Sequence, residues 1–336
     1  MKFSPPPGFP YKWCSAWGED AFGVWLEFSI KNISQRMRWI SPGKFLMGSP
    51  EYEHCHKGRY ETQHEVTLSK GFWLADTACP QELWQTVMQT NPSKGIGAQR
   101  PIENVSWNDC NGFLHKATVM LRDITLSLPT EAQWEYACRA GTKSPFSFGE
   151  DITPEQVNYN GEYPYYGEKT ALNRKQTAPV KSLPPNQWGL YEMHGNVWEW
   201  CNDWYGAYTA DNAADPAGPA EGTYRALRGG SAFSSAADCR SAARSRFNPG
   251  HRYGRNGFRF LWNLPATETQ KEQQAAEHHE WSEEKEDKNI LVVHAKVKIT
   301  MRKRVRFKSC NSKSRGQKIK HMRRVNMFLN CPAFYC

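Results

Sequence analysis

No apolar run in these 336 residues approaches the roughly eighteen needed to span a bilayer. The opening residues, Met1-Lys2-Phe3-Ser4-Pro5-Pro6-Pro7, lack the apolar core of an export signal. The sequence therefore reads as a cytoplasmic protein without a membrane partner. A repeated cysteine spacing is also missing. The ten cysteines are scattered, which suits reduced thiols better than a disulfide framework. No glycine-rich loop stands ready to cradle phosphate, and no Gly-x-Ser-x-Gly elbow offers a hydrolase serine. Acid is absent from one end: Asn289 to Cys336 holds thirteen Lys/Arg and no Asp or Glu. Just before it, 265–288 holds eight acidic and three basic residues, so the body at 1–264 is near +1 (9 − 13 + 5). The net charge of +9 belongs to the tail. Attraction to nucleic acid is expected only through that tail, where clustered cations could neutralise phosphates.

Aromatics, by contrast, are plentiful. Thirteen of the fourteen tryptophans precede residue 264, and each can bury on the order of 150–250 Å² where regular secondary structure is sparse. The densest stretch is Gly189 to Tyr205, with three tryptophans, two tyrosines and two glycines. Neither a helical nor a strictly alternating period accounts for it, and a helix would waste two interior glycines at roughly 1 kcal/mol each. It reads as an irregular, aromatic-packed segment in which Asn196 and Glu199 face one way as oxygen donors. Glu192 and His194 form a candidate acid–base pair, although a lone histidine in an aromatic patch is more often a packing residue.

Local signals place the elements. Strands are expected near Val24–Ile30, at Phe45–Met47 after the Pro42-Gly43 turn, and at His64–Leu68, with Phe72-Trp73-Leu74 as its hairpin partner. Leu83, Trp84, Val87 and Met88 make one stripe of a helix over Gln81–Met88. A second helix is expected over 109–121. Thr130 and Gln133 form a capping box opening a third, which Gly141 ends. From Thr142 to Pro185 the chain reads as loop, a length that implies functional or ion-pinned loops. Asn256–Trp262 reads as a closing strand. The expected organisation is an arm at 1–37, one domain at 38–263, an acidic linker or helix at 264–288, and a basic, disordered tail at 289–336.

Seven blocks carry a resemblance. In order they are Phe45-Leu-Met-Gly-Ser49, Pro101-Ile-Glu-Asn-Val-Ser-Trp-Asn-Asp109, Leu128-Pro-Thr-Glu-Ala-Gln-Trp-Glu-Tyr-Ala-Cys-Arg-Ala-Gly141, Gly189-Leu-Tyr191, Gly195-Asn-Val-Trp-Glu-Trp200, Arg228-Gly-Gly-Ser231 and Gly257-Phe-Arg259. Over residues 38–262 the chain resembles the formylglycine-generating enzyme, or sulfatase-modifying factor, family. The resemblance implies a loop-rich α+β fold of the C-type lectin kind, with few short helices and antiparallel strands. It also implies structural calcium, with Asn196, Glu199 and Asn158 as ligands. In true members it implies a copper-dependent oxidase that converts the cysteine of a Cys-x-Pro-x-Arg motif in a sulfatase to formylglycine.

The same resemblance locates the oxidase centre just after Ser231, where two cysteines hold Cu(I). Here the first position is Ser234 and the second Cys239. A hydroxyl is a poor ligand for that soft ion. The expectation is thus a family member with an incomplete copper site. The alternative is a binding module that takes a protein or peptide through the face between residues 228 and 259, where Ala232–Asp238 and Phe247–Arg255 are rich in Ser, Arg, Asn and Tyr.

Overall fold

A strand with no polar face must lie inside a sheet that is covered on both sides. Phe72–Ala75 is such a strand, with all four residues buried. The computed structural model describes residues 5–122, 124–167 and 172–264; the expectations for 265–336 lie outside the described residues. In chain order the elements are β1 (Ala16–Asp20), β2 (Gly23–Ile30), β3 (Ile33–Ile40), β4 (Gly43–Met47), β5 (His64–Leu68), β6 (Phe72–Ala75), α1 (Gln81–Met88), α2 (Trp107–Leu121), β7 (Leu126–Ser127), α3 (Glu131–Arg139), β8 (Trp198–Trp204), β9 (Ala213–Ala214), β10 (Arg225–Arg228), β11 (Arg244–Phe247), β12 (Asn256–Gly257) and β13 (Leu261–Asn263).

The largest sheet runs β1-β2-β3-β6-β13-β7. Strand β6 is not the hairpin partner of β5. It pairs antiparallel with β3 and β13, while β5 pairs with β4 and β9. Burial explains the choice: β5 alternates and can face solvent on one side, whereas β6 needs neighbours and cover on both. Trp73 joins Leu26, Phe28, Leu83, Phe113 and Phe260 in the core under α1 and α2. Phe72 and Leu74 point the other way, onto Trp134, Ala137 and Leu190. The segment read as an arm contributes three strands of this same sheet.

Two further readings change. The aromatic stretch is not irregular throughout, because Trp198–Trp204 forms β8 inside a four-stranded sheet ordered β11-β10-β8-β12. The closing strand is two short ones, β12 beside β8 and β13 beside β6, so the chain crosses between sheets at Phe258–Phe260. α3 starts where its capping box predicts, and α2 starts two residues before 109, at Trp107. Ser106 and Thr130 each accept from the backbone three residues on, and Asp109 and Gln133 reciprocate. Thr130→Ala should therefore cost about 1 kcal/mol in urea unfolding, with no change in fold.

The loops are pinned by buried arginines. Arg244 forks Glu131 at 2.6 and 2.7 Å, and Arg259 forks Glu199 at 2.7 and 2.8 Å. Arg228 joins Glu135 to the carbonyls of Ser241, Ala242 and Ala243. Arg240 holds Glu53 at 2.6 Å and Glu61 at 2.9 Å. Between α3 and β8 the described residues contain no helix or strand. Side chains, more than ladders, order this half of the domain.

Candidate functional site

β10 runs out into Gly229-Gly230-Ser231 because the chain must turn there against a packed thiol. Gly230 has φ +77°, and a Cβ on it would lie 2.5 Å from Cys239 Sγ. The chain then passes Ser234 and enters a short 3-10 turn, Ala236–Cys239, capped by the Ser235 hydroxyl. Ser231 and Ser234 are brought together: their hydroxyls lie 3.0 Å apart, and the Ser231 amide donates to Ser234 Oγ at 3.1 Å. Ser234 lines a groove of about 540 Å³ with Lys57, Tyr163, Trp198, Phe233 and Arg255. Arg255 lies against the rings of Phe233 and Tyr253, at 4.7 and 5.6 Å. Tyr163 and Tyr253 are exposed. The sequence marked the 247–255 loop but not Lys57 or Tyr163, which arrive from distant loops.

Cys239 does not share the groove. It is fully buried among Phe146, Val157, Tyr159 and Tyr165. Burial, with Asp238 and Cys138 nearby, pushes its thiol well above the ordinary range. Cys138 is also buried, and desolvation lifts it to about 12. Neither is a ready thiolate, the form a metal takes. The serine lines the groove, and both thiols are fully buried away from its lining. With a hydroxyl at the first position, these residues do not fit a two-thiolate copper centre.

The calcium residues divide differently. Asn158 and Asn196 meet, Nδ2 of the first donating to Oδ1 of the second at 3.0 Å. Asn196 Oδ1 also accepts from the Ala178 amide at 2.8 Å, and its Nδ2 donates to Ala178 O at 3.2 Å. Asn196 has φ +67°, and its side-chain amide is held by the Ala178 backbone. Glu199 accepts from Arg259 and from Trp134 Nε1. The two therefore do not face one way as free donors.

Oxygens without partners are found elsewhere. Asn158 Oδ1 is buried and unpartnered, and so are both carboxylate oxygens of Glu192. The Lys181 and Leu183 amides favour the charged form of Glu192, but neither completes a hydrogen bond. Burial lifts this carboxyl to about 7. Calcium takes six to eight oxygens, carboxylates among them. An orphan buried carboxylate is of the type that meets that need, and the sequence pairs Glu192 only with His194. Its signal in the sequence was an acid set in the apolar run Leu190–Met193.

His194 is a packing residue after all. Its Nδ1 lies 2.7 Å from Cys239 O, and its Nε2 accepts from the Ser147 amide at 3.1 Å. Desolvation lowers it to about 4, and both ring nitrogens are taken up by Ser147 and Cys239. His54, Cys55 and His56 gather no further ligands, and the described residues contain no cluster of three His, Cys, Asp or Glu suited to a metal.

Residues 29–264 match the sulfatase-modifying factor enzyme 1-like domain. The chain is 41% identical over 170 residues to the formylglycine-generating enzyme of Streptomyces coelicolor, covering 47% of this chain and 51% of that protein. It is 38% identical over 167 residues to serine/threonine-protein kinase pkn1 of Chlamydia caviae, covering 48% of this chain and 24% of that one. The chain thus spans about half or less of these relatives' length. Among solved structures, Treponema denticola variable protein 1 superposes with a TM-score of 0.63 at 28% identity, over 71% of this chain and 99% of that one.

Proposed function

The chain belongs to the sulfatase-modifying factor family, and from that premise we propose that its groove binds a peptide or protein segment without oxidising it. The observation that carries this reading is the position of Ser234. A hydroxyl closed on Ser231 stands at the groove, while Cys239 is buried as a neutral thiol. What the groove does offer is contact surface. Tyr163, Phe233 and Tyr253 supply rigid aromatic area, and Arg255 supplies fixed charge between two of the rings. That composition suits recognition by loops on a rigid frame. The similarity to a variable protein agrees with such a use.

Calcium in this reading is structural. It would be held by Glu192, or by Asn158, with neighbouring backbone carbonyls, and would neutralise buried charge and fix the loops.

Two experiments test the reading. The full chain, loaded with Cu(I) in air, is given a Cys-x-Pro-x-Arg peptide, and mass spectrometry should find the cysteine unchanged. Conversion to formylglycine would overturn the reading. A random-peptide display library selected on the chain should then yield binders that Arg255→Glu and Tyr253→Ala each weaken by about tenfold, the scale of one lost aromatic or charged contact. Binders indifferent to both substitutions would remove the groove from the function.

A further inference from the structure

A second cavity, of about 440 Å³, opens beside α3 and shares no lining residue with the groove. We infer that it is a binding site for a small aromatic carboxylate. Small-ligand sites are typically concave, mostly apolar, preformed, and roughly 300–1,000 Å³ in volume. This cavity meets each condition. Its walls are Phe22, Trp39, Phe45, Tyr136 and Trp188.

The walls are fixed in place. Tyr136 packs edge-on against Trp188 at 4.9 Å and tilted against Phe45 at 5.2 Å. Its hydroxyl donates to Ser41 O at 3.3 Å. A Cβ on Gly43 would meet that hydroxyl at 2.3 Å, so the ring's place depends on the glycine. A Cβ on Gly71 would strike Trp39 at 2.3 Å, and one on Gly189 would lie 2.8 Å from Phe22. Five aromatic walls held this way favour a flat ring, through offset and edge contacts that an alkyl chain cannot make.

Charge selects the other end of the ligand. The lining holds Lys44, Arg139 and Lys143 and no carboxylate. Arg139 is spent on Glu135 and on Gly48 O, and Lys44 pairs with Glu65 at 3.2 Å. Lys143 is exposed and has no partner among the described residues. One uncompensated cation beside an apolar aromatic cavity fits a ring bearing one anionic group.

The probe is 3-phenylpropionate, titrated calorimetrically into the full chain at low and high salt. One site is expected, weakening as salt rises. The neutral-headed 3-phenylpropanol, the cationic 3-phenylpropylamine and the alkyl octanoate should each bind about tenfold more weakly or worse. Lys143→Glu should weaken 3-phenylpropionate about fivefold, because attraction at an exposed site becomes repulsion. Thr142→Trp, which fills the cavity, should abolish binding. Unchanged melting temperatures would establish that both variants fold, and the exposed Lys143→Glu serves alone if Thr142→Trp does not. The proposal is overturned by no binding of 3-phenylpropionate, by equal binding of any comparator, or by binding indifferent to the substitutions. None of these results bears on the groove.

Discussion

Arg240→Met should destabilise the domain by about 3–5 kcal/mol, the usual consequence of leaving a buried charge without its partner. Here one guanidinium serves two carboxylates. Glu53 and Glu61 both accept from it, and its Nη2 also donates to Cys55 O at 2.8 Å. Methionine matches the volume but leaves the two acids facing each other. Burial already holds Glu53 above the ordinary carboxylate range even with Arg240 present. In the variant its carboxyl would bind a proton more readily still, so the difference from the parent should shrink as pH falls from 8 toward 5. Urea unfolding across that range measures both effects. A uniform loss at all pH values would mean that packing, not charge, is what Arg240 supplies.

A second consequence concerns the groove. Arg240 ties the 51–62 segment to the 231–247 region, and that segment carries Lys57, which lines the groove and pairs with Asp238 at 3.2 Å. Glu53→Gln leaves Glu61 paired with Arg240, so it should cost less than Arg240→Met. Peptide binding should fall in Arg240→Met even where the domain is still folded. The clamp thus joins stability to function through one side chain.

What the sequence showed and what it hid follow from the range of each signal. Capping at Ser106 and Thr130 is written within four residues, and both helices begin there. The alternation of His64–Leu68 is equally local, and the strand forms. The partner of Phe72–Ala75 was not local. A fully apolar run announces burial without saying between which strands. The Arg-Gly-Gly-Ser block is a local signal, but the inward turn of Cys239 depends on Phe146, Val157 and Tyr165 closing over it. The arginine clamps were hidden most completely, since Arg240 lies 179 positions from Glu61 and no spacing rule spans that distance. Asn196 misled for a related reason: a neighbouring loop, at Ala178, takes its amide.

Glu192→Gln should remove a pH dependence of about 3 kcal/mol from the stability of the calcium-free protein. The size comes from a carboxyl at about 7 in the fold against an ordinary value of 4.5, at about 1.36 kcal/mol per unit. The sign runs opposite to that of a salt-bridged acid. Because folding raises this carboxyl's proton affinity, the folded state binds more protons than the unfolded one between those values. Its contribution is therefore fully present below about 4 and is lost as pH rises through about 7. Asp203, also lifted to about 7 by burial, adds a slope of the same sign, so the informative quantity is parent minus variant at each pH.

Calcium should reverse the pattern for the parent alone. A divalent ion competes with the proton for the orphan carboxylate, so added calcium should stabilise the parent strongly at pH 8 and little at pH 5. In Glu192→Gln the amide keeps one oxygen and loses the charge, and most of the calcium effect should go with it. Urea unfolding in EGTA and in millimolar calcium, for parent and variant, separates the cases. Equal stabilisation of both by calcium would move the ion to Asn158. Identical pH profiles would mean that Glu192 is paired in solution, and the case for a cation at this carboxylate would fail. The strength of the prediction lies in the absence of a paired cation: Glu199, seven residues on, is forked by Arg259, and no salt bridge reaches Glu192 among the described residues.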